Sequence, residues 1–93
     1  MRRVELSARA ENDLARPAAF LVDKSPAAAR RAAQAISDAV LSLGEFPNRG
    51  RPGPVGDLRE LRVAFGRDGY LVRYQLREDC VLVTRIVHSR ERR

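Results

Sequence analysis

The hydrophobic period changes once along this chain, at a segment that neither a helix nor a strand can cross. Residues 45–57 hold Pro47, Gly50, Pro52, Gly53, Pro54 and Gly56. Each proline lacks an N–H donor, and each glycine raises the entropic cost of regular structure. Before this segment apolar residues recur at three- and four-residue spacing, and after it they alternate. The chain therefore reads as strand, two helices, surface loop and three strands, an α+β single domain over residues 1–93.

The helical half has clear boundaries. Val4 and Leu6 alternate with polar neighbours and predict a short first strand. Ser7 is placed to cap a helix from Ala8, with Glu11 and Asp13 near the positive end of its dipole. Ala10, Leu14, Ala18 and Leu21 form its apolar stripe, and Pro17 predicts a kink or break near Arg16–Pro17. Ser25-Pro26 opens a second helix with a capping hydroxyl and a proline at the first turn. Ala29, Ala32, Ala33, Ile36, Val40 and Leu43 make its buried face, and Gly44 is expected to end it in the left-handed conformation. With only Asp23–Ser25 between them, the helices are expected to form an antiparallel hairpin.

In the second half Leu61, Val63 and Phe65 alternate, then Tyr70, Val72, Tyr74 and Leu76, then Cys80–Val87. Short turns at Gly66–Gly69 and Arg77–Asp79 predict an antiparallel meander, with the helical hairpin packed on one face of the sheet. Strict alternation puts Leu61, Val63, Val72, Tyr74, Leu82 and Ile86 on the covered face. Arg62, Arg73 and Arg85 then emerge on the other face, among Leu71, Val81 and Val83. Such a mixture of guanidinium and exposed aliphatic groups suits phosphate oxygens or an acidic peptide.

Charge points the same way. Of 93 residues, 17 are Arg and one is Lys (Lys24), giving a net charge of +6. Residues 1–46 carry 7 basic and 6 acidic groups, and residues 47–93 carry 11 and 6, so the excess belongs to the second half. Cys80 is the lone cysteine and His88 the lone histidine, which excludes an intrachain disulfide and argues against zinc. Apolar runs reach about six residues, far short of a membrane span, and Met1–Leu6 lacks the apolar core of a signal peptide, so a cytoplasmic location is expected. No cofactor or metal site is expected. Read singly, His88 is a structural histidine or an acid–base group, and Glu60 is a salt-bridge partner or a general base. Tyr70 and Tyr74 read as core residues and Cys80 as inert.

The ordered set Ala10–Leu14, Phe46-Pro47-Asn48-Arg49-Gly50-Arg51-Pro52, Leu58–Val63, Tyr70–Tyr74 and Arg85–Arg90 resembles the ParE/RelE superfamily of toxins from type II toxin–antitoxin systems, along nearly the whole chain. Pro17 departs from that pattern. The superfamily has two activities. RelE-like members cut messenger RNA on the ribosome, whereas ParE-like members poison DNA gyrase and serve in plasmid stabilisation. The first activity would use Glu60 as base, His88 as acid, and Arg73 with Arg85 on the phosphate. Ser89 follows His88, no tyrosine lies beyond Tyr74, and Lys24 is the only lysine, so the resemblance favours the ParE-like branch. It implies a cognate, ParD-like antitoxin that lays an acidic segment over the basic surface, and nucleic-acid contact only through that complex. The partner-binding residues it implies are Arg59, Arg62, Arg73, Arg85, Arg90, Arg92 and Arg93. The last strand and the tail Arg90–Arg93 are expected to touch gyrase.

Overall fold

The computed structural model describes residues 1–15, 25–53, 56–67 and 69–89. Among the described residues, five strands and two helices follow in the order β1 (Arg3–Leu6), α1 (Ala8–Ala15), α2 (Pro26–Ser42), β2 (Arg51–Pro52), β3 (Leu58–Val63), β4 (Tyr70–Leu76) and β5 (Cys80–His88). They form one sheet in the order β1-β5-β4-β3-β2. The α+β class and the three-stranded meander agree with the sequence reading. The sheet is mixed, however, because β1 lies parallel to β5. The loop expected to be irregular contributes the two-residue edge strand β2, paired with β3.

Both serine caps form. Ser7 Oγ accepts the Ala10 N–H at 3.0 Å, and Ser25 Oγ accepts the Ala28 N–H at 3.0 Å. Each satisfies one of the first-turn donors that a helix cannot pair internally. α2 buries Ala29, Ala32, Ile36, Ala39 and Val40, and its small residues bring the helix close to β3 and β4. The kink at Pro17, the apolar positions Ala18 and Leu21, Lys24 and the tail Arg90–Arg93 lie outside the described residues.

Gly44 ends the helix for a different reason from the one expected. Among the described residues the left-handed ones are Gly56, Gly66 and Gly69, and the cap is Leu43 in the ordinary helical region. At Gly44 a Cβ would meet the Arg2 carbonyl oxygen at 2.7 Å, while the Arg2 N–H donates to the Gly44 carbonyl at 2.8 Å. Glycine is required by this close approach of the N-terminal segment.

The sheet also departs from strict alternation. Arg73 pairs with Arg85 and Tyr74 with Val83, so Thr84 has no partner on β4 and forms a bulge. Its carbonyl accepts the Ser7 hydroxyl at 3.1 Å, and its own hydroxyl donates to the Arg73 carbonyl at 3.3 Å. The extra residue flips the first half of β5. Val81 and Val83 lie in the core with Tyr74, Val72 and Ile86, and Leu82 faces the other way. The expectation that Leu82 is covered while Val81 and Val83 are exposed is therefore corrected. Leu71, at 2% exposure, is not an exposed aliphatic either.

A backbone conformation and a steric contact make different predictions at Gly44. Asn tolerates the left-handed region, so it would substitute well at a left-handed cap. Here Gly44→Ala and Gly44→Asn are both expected to destabilise the fold by about 1–3 kcal/mol in urea denaturation, the range for forcing atoms into a filled site.

Candidate functional site

The face of the sheet opposite the helical core carries one row of charged side chains. The register aligns Arg51 on β2, Glu60 on β3, Arg73 on β4 and Arg85 on β5. Like charges directly opposite one another, as Arg73 and Arg85 are, repel. Two carboxylates offset that repulsion. Arg73 Nε donates to Glu60 Oε2 at 3.0 Å, and Arg85 Nε donates to Asp13 Oδ2 at 2.7 Å. The carboxylate side chains are 2% and 5% exposed, and the arginines 28% and 26%. Burial strengthens each charge-assisted bond and holds each guanidinium in one orientation, while about a quarter of each arginine side chain stays exposed.

Asp13 reaches the row from α1. Beyond Leu6, β1 no longer covers the outer edge of β5. There the Ile86 N–H donates to Asp13 Oδ2 at 2.9 Å, and Arg85 Nη2 adds a longer contact to Oδ1 at 3.4 Å. One carboxylate thus completes a strand edge and fixes an arginine. From the sequence alone Asp13 carries only a dipole role. Its position three residues after Ala10 on the buried stripe was the signal available.

The candidate residues separate into three places. Arg73 and Arg85 are direct neighbours, as a basic patch requires. Arg62 is exposed and pairs with Leu71, so it lies two residues along the strand from the row, and Glu60 occupies the position beside Arg73. Arg59 belongs to the covered face, opposite Tyr74. Its guanidinium donates to the Gly50 carbonyl at 2.6 and 3.1 Å and to the Asn48 carbonyl at 3.3 Å. Tyr74 secures the same loop, its hydroxyl accepting the Gly50 N–H at 2.9 Å and donating to the Pro47 carbonyl at 2.8 Å. Arg59 and buried Tyr74 together brace the Pro47–Gly50 segment.

His88 also lies on the covered face. It pairs with Tyr70, and the two rings meet edge to face at 5.1 Å. Tyr70 belongs to the core cluster. Glu60 and His88 therefore project from opposite faces of the sheet. Cys80 is a buried free thiol. Among the described residues no cluster of His, Cys, Asp and Glu could hold a metal ion, and no helix is long and apolar enough to cross a membrane.

These elements define a small α+β domain whose charged sheet face is braced by buried carboxylates. Residues 4–93 match the family described as the ParE toxin of the type II toxin–antitoxin system, parDE. The chain belongs to this family, within the ParE/RelE toxin superfamily. It is 39% identical over 93 residues to Toxin RelE3 of Caulobacter vibrioides, covering 100% of both chains. It is 42% identical over 91 residues to Toxin RelE1 of the same organism, covering 97% and 96% of the two chains. Among solved structures it shares its fold with a chain of the chromosomal ParDE system of P. aeruginosa, at a TM-score of 0.77 and 23% identity over 95% and 96% of the chains. It also shares it with a chain of the intact E. coli RelBE complex, at 0.63 and 12% over 94% and 95%.

Removing the Asp13 carboxylate would leave both the Ile86 N–H and Arg85 without their acceptor. Asp13→Ala is expected to cost about 2–3 kcal/mol. Asp13→Asn, which keeps an acceptor oxygen, is expected to cost less. Chemical denaturation of the two variants checks the order.

Proposed function

We propose that this toxin is ParE-like: it acts by docking on DNA gyrase and is held inactive by a cognate antitoxin. The observation that carries this reading is the placement of Glu60 and His88 on opposite faces of the sheet. Cleaving RNA requires a base at the 2′-hydroxyl and an acid at the leaving oxygen, both within hydrogen-bond reach of one phosphodiester. A residue bonded to Arg73 on one face and a ring set edge to face with Tyr70 on the other do not meet that requirement. Docking on a protein needs no such pair.

The antitoxin surface in this reading centres on Arg73 and Arg85, with Arg62 beside them. Their partly exposed guanidinium groups suit carboxylates of an acidic segment. The ParDE and RelBE neighbours both come from toxin–antitoxin systems, which supports such a partner. The last strand and the tail Arg90, Arg92 and Arg93 are the proposed gyrase contact. The names of the Caulobacter relatives favour a second reading, a RelE-like nuclease using Glu60, Arg73, Arg85 and His88.

A gyrase supercoiling assay with purified toxin tests the proposal. Inhibition is expected, and His88→Ala is expected to weaken it by less than about tenfold, the loss of one contact at the end of the last strand, since no proton transfer depends on the ring. Under the nuclease reading, gyrase is unaffected, ribosome-bound messenger is cut, and His88→Ala loses about 10²–10⁴-fold activity. Separately, changing Arg73 and Arg85 together to Gln is expected to weaken antitoxin binding at least about tenfold, or roughly 1.4 kcal/mol. Titration calorimetry with the product of the adjacent small reading frame measures it.

A further inference from the structure

The segment after α2 is held rigidly, yet it presents a large apolar side chain to water. Arg59 and Tyr74 fasten Pro47–Gly50 from beneath, as described above. From the other side, Arg49 Nη1 donates to Ser42 Oγ at 2.6 Å, the Phe46 N–H donates to the Ser42 carbonyl at 2.9 Å, and the Arg49 N–H to the Phe46 carbonyl at 3.1 Å. Phe46 is nevertheless 60% exposed, and Leu41, on the last turn of α2, is 68% exposed. Phe46 also lines an open groove of about 570 Å³ together with Glu45, Pro47, Asn48 and Arg49, and Leu41 lies one helical turn before Glu45. A rigid segment loses little entropy on binding, so an exposed aromatic on such a support is well suited to anchor an interface.

Charge selects the occupant. The rim carries one acid, Glu45, and one base, Arg49, both exposed, and no salt bridge to either is present among the described residues. An acidic segment would meet Glu45, and a basic one would meet Arg49. A second copy of the same patch, turned about a two-fold axis, sets Glu45 of each chain against Arg49 of the other and offers each Phe46 the opposing groove. Such an interface is self-complementary in the sense that a symmetric dimer requires.

We infer that the patch of Leu41, Glu45, Phe46 and Arg49 is a self-association surface through which two copies of this chain form a symmetric dimer. The inference does not depend on the toxin's target. A patch centred on four side chains is small beside a standard interface of about 20–30 residues a side, so the dimer is weak and reversible.

Sedimentation velocity of the full chain, from micromolar to near-millimolar concentration, tests it. The weight-average mass is expected to climb from one chain toward two. Phe46→Glu and Leu41→Glu, both at exposed positions, are each expected to hold the protein monomeric with an unchanged circular dichroism spectrum. Glu45→Arg alone and Arg49→Glu alone are each expected to weaken association about tenfold, and the double exchange to restore it, because the charges still match across the axis. A wild-type chain that stays monomeric throughout overturns the inference. So does a folded Phe46→Glu chain that dimerises as well as wild type, or a double exchange that restores nothing.

Discussion

The carboxylate of Asp13 holds together parts of the molecule that sequence order separates. It accepts the Ile86 N–H at the point where β1 stops covering β5, and it takes the Nε of Arg85 on the adjoining face. A strand edge left open at a buried position would cost the full desolvation of its donor. Closing it from a helix ties α1 to β5, and Ser7 repeats the connection one turn earlier through the Thr84 carbonyl. The N-terminal and C-terminal segments thus form one edge of the sheet, and the charged face depends on that edge for the orientation of Arg85.

The bulge at Thr84 sets which residues share a face. It allows Val81 and Val83 to enter the core with Tyr74 while Ile86 and His88 remain on the same side. With a regular β5, either the first half or the second half of the strand would turn its apolar residues outward. The bulge also brings Arg85 opposite Arg73, where Glu60 and Asp13 offset their repulsion. A patch of two fixed guanidinium groups backed by buried carboxylates is suited to recognising an anionic partner, and His88 projects from the face opposite Glu60. That combination is what supports docking as the mode of action proposed for this family member.

Much of this was legible in the sequence where the interactions are local. Ser7 and Ser25 bond to amides three residues away, so their caps follow from adjacent chemistry. The period change located the helices and the meander, and Tyr70 and Tyr74 lie in the core as their alternation predicts. The misses are tertiary. The parallel pairing of β1 with β5, the flipped half of β5 and the contact requirement at Gly44 each depend on segments far apart in the chain. Arg59 looked like surface charge because nothing nearby in sequence shows that two loop carbonyls await its guanidinium. Arg62 was placed in the row because alternation defines a face and leaves the register open, and the register puts Glu60 beside Arg73.

The separation of Glu60 from His88 is the structural basis for reading this toxin as a docking protein. A nuclear Overhauser spectrum of the folded chain measures it most directly. The His88 ring protons are expected to show cross-peaks to the Tyr70 ring, 5.1 Å away centre to centre, and none to the side chains of Glu60 or Arg73. Cross-peaks from His88 to either of those side chains would place acid and base on one face and contradict the reading.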